Sequence, residues 1–257
     1  MSDVATLCSV VEDVGHTIRE EIRSPTTVET DTVLDRLGLE GIDSPDETVS
    51  VLCAFNLLLK STLYRSHREA SEELEPLARP ETLVSEFETA AAETDDNALD
   101  PWELDELATL LDTAAFEQLL DHRDTLADTD SPTQTIGELF EKLVAQSARR
   151  RQGQFYTSRP VSELMARWAV CDGDDTVLDP GVGTGVLSAS VFEVKRHRSG
   201  GTASVEDLYG VDLSPLAVTM AATGLTLDNG GSTPDLAETD FMDTCVPGSE
   251  TTIGQRN

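Results

Sequence analysis

Residues 154–185 contain two short runs whose types and spacing suit ligand binding. The second run, Val177-Leu178-Asp179-Pro180-Gly181-Val182-Gly183-Thr184-Gly185, reads as a buried strand ending in an acid, then a glycine-rich turn that opens a helix. Glycine has no Cβ and tolerates φ > 0, so such a turn lets a ligand approach the backbone closely. The next apolar strand, Leu208-Tyr209-Gly210-Val211-Asp212, also ends in an acid. A carboxylate there offers two acceptor oxygens to neighbouring ribose hydroxyls, and Leu213-Ser214-Pro215 then starts a helix. The first run, Phe155-Tyr156-Thr157, stands upstream of the turn and bears on which ligand it takes.

Other chemically capable residues are sparse. His16, His67, His122 and His197 have no metal-ligand spacing, and Cys8, Cys53, Cys171 and Cys245 are too scattered for a metal site or a small disulfide framework, so the thiols are expected to be buried. Two cationic clusters interrupt an acidic background: Arg149-Arg150-Arg151 with Arg159, and Lys195-Arg196-His197-Arg198. The first could track phosphates near the glycine turn, although arginines at a helix C-terminus also satisfy the helix dipole.

Positioning these residues requires two textures of chain. Up to about Asp130 the apolar spacing is helical, with stretches at Val4 to Ile22, Thr48 to Tyr64 and Pro101 to Leu120, the last with Asp100 as expected N-cap. Asp121 to Pro132 reads as a linker or exposed loop. Helical patterns follow at Ile136 to Ala148 and Pro160 to Val170. Strands at Thr176 to Leu178 and Leu208 to Val211, with another near Ala237, then alternate with helices at Val186 to Val194 and Pro215 to Leu225. That alternation predicts a parallel, doubly wound sheet.

The formal net charge is −31, and the only lysines are Lys60, Lys142 and Lys195. Such a balance normally argues against nucleic acid, because phosphate binding depends on basic side chains releasing counterions. Spread through every segment, however, the acids resemble the surface of a halophile's cytoplasmic protein, where molar salt cuts the Debye length to roughly 3 Å. No run approaches the roughly 20 apolar residues of a membrane span, and no signal sequence is recognisable, so a cytoplasmic protein is expected.

Asp179-Pro-Gly-Val-Gly-Thr-Gly185 resembles the D-P-x-x-G-[ST]-G motif of S-adenosylmethionine-dependent DNA adenine-N6 methyltransferases, and Gly153-Gln154-Phe155-Tyr156-Thr157 is similar to their upstream G-x-[FY]-[YF]-T-P segment, with Ser158 in place of the proline. Gly137 to Leu143 is similar to the helix leading into that pocket in type I and related restriction-modification methylases. The resemblance implies S-adenosylmethionine as cofactor. Phe155, Tyr156 and Thr157 would close over its methionine end, and Asp179, Pro180, Gly181, Gly183 and Gly185 would cradle the methionine moiety. Asp212 would hold the ribose, Leu213 would pack on the adenine, and Asp240 with Phe241 would meet the adenine amino group and face.

The fold implied is α followed by α/β: a helical N-terminal domain over 1–130, then the first half of a Rossmann-like class I methyltransferase sheet over 131–257. The family's [ND]-P-P-[YFW] motif, which activates the flipped adenine, occurs nowhere in the chain; Asn257 could be its first residue. The resemblance therefore implies a cofactor half without a catalytic half. Such a half would belong to a truncated product or act with a separately encoded C-terminal chain, and the central strand, the one after the glycine loop, would be left as an exposed apolar edge. DNA would be a partner through the complete enzyme. Two rival readings are a non-catalytic S-adenosylmethionine-binding scaffold and a nicotinamide-dependent oxidoreductase, although the latter has no use for Phe155-Tyr156-Thr157.

Overall fold

The computed structural model describes residues 3–22, 29–39, 42–71, 73–144 and 157–244. Phe155, Tyr156, Arg149, Arg150, Arg151, Cys245 and Asn257 lie outside these residues. The helical spacing of the N-terminal part is realised as Asp3–Ile22, which buries Leu7, Val11, Val14 and Ile18, and as Pro45–Ala70, which contains the expected 48–64 stretch. Gly15 lets the two approach closely, since a Cβ there would stand 2.9 Å from the Cα of Val51.

The 101–120 stretch is two helices rather than one, Glu103–Ala108 and Thr113–Leu120. Asp112 caps the second by accepting from the Ala115 N–H at 2.8 Å. Asp100 is not the expected N-cap, because that position falls to Trp102, whose N–H donates to Asp105 Oδ2 at 2.9 Å. The Asp100 carbonyl accepts instead from Lys60 Nζ at 2.7 Å. Lys60 also donates to Asp105 Oδ2 at 2.6 Å, and both side chains are fully buried, so an ion pair on the inner face fixes where the helix starts. The expected linker over 121–132 also departs from its polar appearance. Arg123–Ala127 is helical because Leu126 inserts into the core, and Pro132 begins the next helix, Pro132–Leu143.

Strands β1 (Val177–Asp179), β2 (Leu208–Asp212) and β3 (Asp235–Glu238) form a parallel sheet in the order β1-β2-β3, with Leu178 opposite Tyr209 and Val211 opposite Ala237. Helices Arg159–Ala169, Val186–Arg198 and Pro215–Asn229 connect and cover them. The strand after the glycine loop, β2, is paired on both sides, by β1 and β3, and is not the exposed edge expected of it. A predominantly helical N-terminal part followed by a parallel, Rossmann-like sheet is the order of elements that the sequence predicts.

Pro215–Asn229 is apolar on every side, the pattern of a helix surrounded by protein. It packs on the sheet, on 45–70 and on 132–143. Thr223 Oγ1 donates to the Leu59 carbonyl at 3.3 Å, and Gly224 allows close contact with Thr133, whose Cα would be 2.8 Å from an added Cβ. The Phe55 and Phe140 rings meet at 6.3 Å, so one buried cluster runs from the first helix to β3. A smaller cluster of Ala166, Val170, Val191 and Leu208 occupies the other sheet face.

The thiols depart from expectation. Cys53 is buried, Cys8 is half-buried and Cys171 is exposed. Cys171 lies in the turn before β1, where its N–H donates to Asp175 Oδ2 at 2.6 Å and its side chain has no core to enter.

Candidate functional site

At the C-terminal ends of β1 and β2 the two acid-bearing segments are joined directly. The chain leaves β1 at Asp179, turns through Pro180 and Gly181, and folds back so that the Val182 N–H donates to the Val211 carbonyl of β2 at 3.0 Å. The next N–H, that of Gly183, donates to Asp212 Oδ2 at 3.0 Å. Gly210 makes this close approach possible, since a Cβ there would stand 2.7 Å from Leu236 Cδ2 and 3.0 Å from Val182 Cγ2. Gly183 and Gly185 have φ of +54° and +83°, the left-handed region that disfavours side chains. Gly185 has a second constraint, because a Cβ would lie 3.2 Å from the Cα of Ala221. Around Gly181, in contrast, the position of a Cβ is open space.

The resulting cleft has a volume of about 280 Å³. Its polar wall is Asp179, the backbone of 181–183, Asp212, Ser214 and Thr157, and its apolar floor includes Phe140, Leu216 and Met220. Asp179 is only 7% exposed, with Oδ1 accepting from the Gly181 N–H at 3.4 Å and Oδ2 from Ser188 Oγ at 3.2 Å. Burial pushes its carboxyl above the ordinary range, the two hydrogen bonds pull it down, and the charge of Asp212 adds a smaller upward push. Asp212 Oδ1 accepts from the Ser214 N–H at 3.0 Å. Each of its oxygens is thus engaged once, and a carboxylate has about four lone-pair sites, so acceptor capacity remains for a ligand. No lysine or arginine lines the cleft among the described residues. Two carboxylates, free acceptors and an apolar floor suit a ligand with a cationic group, hydroxyls and a flat apolar body.

The sequence-derived residues are distributed unevenly about this cleft. Thr157, Asp179, Gly181, Gly183 and Asp212 line it, and Phe140 from the 137–143 segment joins them. Pro180 and Gly185 shape the turn without lining the cleft, and Leu213 is exposed beside it. Asp240 is exposed and accepts from the Met242 N–H at 2.8 Å, while Phe241 is half-buried; neither lines the cleft. Arg159 is engaged by acids, Glu163 at 3.0 Å and Glu193 at 3.3 Å. In the second cluster Lys195 is buried against the Asp175 carbonyl and Asp207, and Arg198 donates to the Arg167 carbonyl at 3.2 Å.

Residues 132–242, which supply all but two of the cleft's lining residues, match the family model described as N-6 DNA methylase. This segment of the chain is therefore similar to that family. Similar solved chains include a modification subunit assigned to a type I restriction enzyme of Vibrio vulnificus YJ016, at 18% identity and a TM-score of 0.46, with 91% of this chain and 56% of that chain covered. Another is the ATP-dependent type ISP restriction-modification enzyme LlaBIII bound to DNA, at 14% identity and a TM-score of 0.42, with 97% and 18% covered. The chain thus spans little more than half of the first and under a fifth of the second.

The two lining residues outside the matched segment are Leu37 and Leu39. They flank Gly38, at φ +65°, in a turn that ends the Thr30–Arg36 helix: the Leu39 N–H donates to the Leu34 carbonyl at 2.8 Å and the Gly38 N–H to the Asp35 carbonyl at 3.0 Å. Sequence reasoning missed them. The signal available was the Leu-Gly-Leu helix stop, which marks a turn with two apolar residues but not what they face.

Proposed function

We propose that this chain is the cofactor-binding half of a DNA adenine-N6 methyltransferase of the restriction-modification type, cytoplasmic and built to hold S-adenosylmethionine in the Asp179–Asp212 cleft. The observation that carries this reading is the pairing of two carboxylates on a cleft without a described basic side chain. A nicotinamide dinucleotide would bring its pyrophosphate to the glycine turn, where Asp179 would repel it. S-adenosylmethionine brings an ammonium and a sulfonium instead, and Asp179 answers positive charge. The open space at Gly181 leaves room for a ligand against the turn. Asp212 offers its remaining lone pairs to the ribose hydroxyls, and the Gly183 N–H holds that carboxylate in place.

When bound, the cofactor supplies a methyl group activated by its sulfonium. This chain's contribution is to bind and orient it. Residues 1–257 contain no Pro-Pro-aromatic sequence, the motif that the resemblance assigns to adenine activation. The chain alone is expected to take up cofactor without methylating DNA.

Calorimetry with S-adenosylhomocysteine in molar KCl tests the reading. Binding to the parent chain should disappear in Asp212→Ala. Unchanged binding in that variant would remove the ribose assignment, and NAD uptake without S-adenosylhomocysteine uptake would favour the oxidoreductase.

A further inference from the structure

The wall that Leu37 and Leu39 add to the cleft comes from outside residues 132–242 and has to be held against the sheet. The helix that carries it, Thr30–Arg36, is seven residues long. Val33, Leu34, Leu37 and Leu39 are all buried, but apolar contact is non-directional and holds the turn down without setting its orientation. The hydrogen bonds of the Gly38 turn return to the same helix, so they fix the local path of the chain and not its distance from Asp212. A directional restraint comes from Arg36, the last residue of the helix and the neighbour of Leu37.

Arg36 crosses to the sheet. Its Nε and Nη2 donate to Glu238 Oε1 at 3.2 and 2.9 Å, Nη2 donates also to Glu238 Oε2 at 3.0 Å, and Nη1 donates to Glu103 Oε2. The guanidinium carbon lies over Trp102, 5.6 Å from the ring centroid. Glu238 is the last residue of β3 and stands opposite Asp212 of β2, and the next N–H, that of Thr239, donates to the Asp212 carbonyl at 2.9 Å. One side chain thus ties the residue before Leu37 to the strand end beside Asp212. A guanidinium forked on a carboxylate fixes angle as well as distance, which the point charge of a lysine does not. A contact of this length is also no longer than the roughly 3 Å Debye length of molar salt, so it persists where longer-range attraction is screened.

We infer that Arg36 is a positioning residue for the cleft: braced on Glu238, it sets the Leu37–Leu39 wall against the Asp212 end, so that the N-terminal helices share in binding the nucleoside part of the ligand. The inference rests on the proposed function for the identity of that ligand. Charge alone would act in the opposite sense, because taking a cation away from a cleft lined by Asp179 and Asp212 favours a ligand with a positive group. Global stability is a separate matter. The side chains of Arg36, Glu103 and Glu238 are 35%, 33% and 39% exposed, and pairs this open to water add little to it.

Calorimetry with S-adenosylhomocysteine and amide exchange, both on the full chain in molar KCl, test the brace. Affinity scales with the fraction of molecules whose site is assembled, so an unbraced turn in place about a tenth of the time makes Arg36→Met bind about tenfold more weakly, with a melt close to the parent's. Glu238→Gln, a milder change to the same contact, should weaken binding too, and the double variant should bind no more weakly than Arg36→Met alone. Arg19→Met removes a cation that pairs with Glu47 at 3.1 Å and lines no part of the cleft, and it should bind as the parent does. Without ligand, Arg36→Met should speed exchange at Gly38 and Leu39 by about threefold or more and leave helix 45–70 unchanged. Parent-like affinity in Arg36→Met, or losses that add in the double variant, overturns the inference while the cofactor reading stands. If the parent takes up no S-adenosylhomocysteine the cofactor reading fails, and exchange alone then decides the brace: an unchanged rate at Leu39 overturns it.

Discussion

Replacing Lys60 with methionine should destabilise the chain by about 3–4 kcal/mol at pH 7, and the deficit should narrow as the pH falls. Methionine fills the space of the lysine stem, so the change is mainly electrostatic. Asp105, fully buried, loses its donor at 2.6 Å and keeps two, Asn56 Nδ2 at 2.8 Å and the Trp102 N–H at 2.9 Å. Breaking a buried pair by removing one partner costs about 3–5 kcal/mol. Protonation sets a ceiling, because neutralising a carboxyl of ordinary pKa about 3.9 at pH 7 takes about 4 kcal/mol.

Even in the parent, burial outweighs Lys60 and raises the Asp105 carboxyl, and it lowers the Lys60 ammonium. A raised folded pKa gives stability that is complete below the unfolded value and is lost as the pH rises through the folded value. Removing Lys60 lifts the folded value further. Between the parent's and the variant's values the deficit should therefore change by up to about 1.4 kcal/mol per pH unit. Urea unfolding followed by circular dichroism at constant KCl, from pH 5 to pH 8, measures it. Lys60→Met with Asp105→Asn should recover most of the loss at pH 7. A deficit independent of pH, or a double variant as unstable as the single one, would refute the reasoning.

Two further changes probe the cleft. Gly185→Ala should lower stability by about 1–3 kcal/mol, from its left-handed backbone and its contact with Ala221, whereas Gly181→Ala should melt near the parent and lose affinity for S-adenosylhomocysteine. Thermal melts and calorimetry on the pair would expose the error if Gly181→Ala proved the less stable. Asp179→Asn should raise the melting temperature at pH 8 and not at pH 4, since the raised Asp179 carboxyl favours folding only while protonated, and it should weaken ligand binding. Stabilisation equal at both pH values would contradict that sign.

Much of the cleft was legible because its residues are contiguous. Asp179 to Gly185 and Leu208 to Asp212 each encode a strand end and a turn locally, and parallel pairing of neighbouring strands brings them together. The Gly183 to Asp212 hydrogen bond follows from that adjacency. Leu37 and Leu39 were not legible, since nothing local says that a leucine beside a helix stop will reach a turn some 140 residues later. The start of helix 103–108 was hidden for a related reason: Asp105 is a capping residue only because Lys60, distant in sequence, holds it inside. Asp121 to Pro132 looked like a linker because a single apolar residue, Leu126, carries its burial.

The enclosure of helix 215–229 has a consequence for how the chain is made. Its Thr223 reaches the Leu59 carbonyl, a partner 164 positions earlier. A ribosome at about 5–20 residues per second thus leaves the helices of 3–70 waiting on the order of ten seconds for the element that closes their core. Over that interval the surface that will receive 215–229 faces water. A strongly hydrated acidic surface with few lysines is then as much a safeguard for the half-made protein as for the finished one.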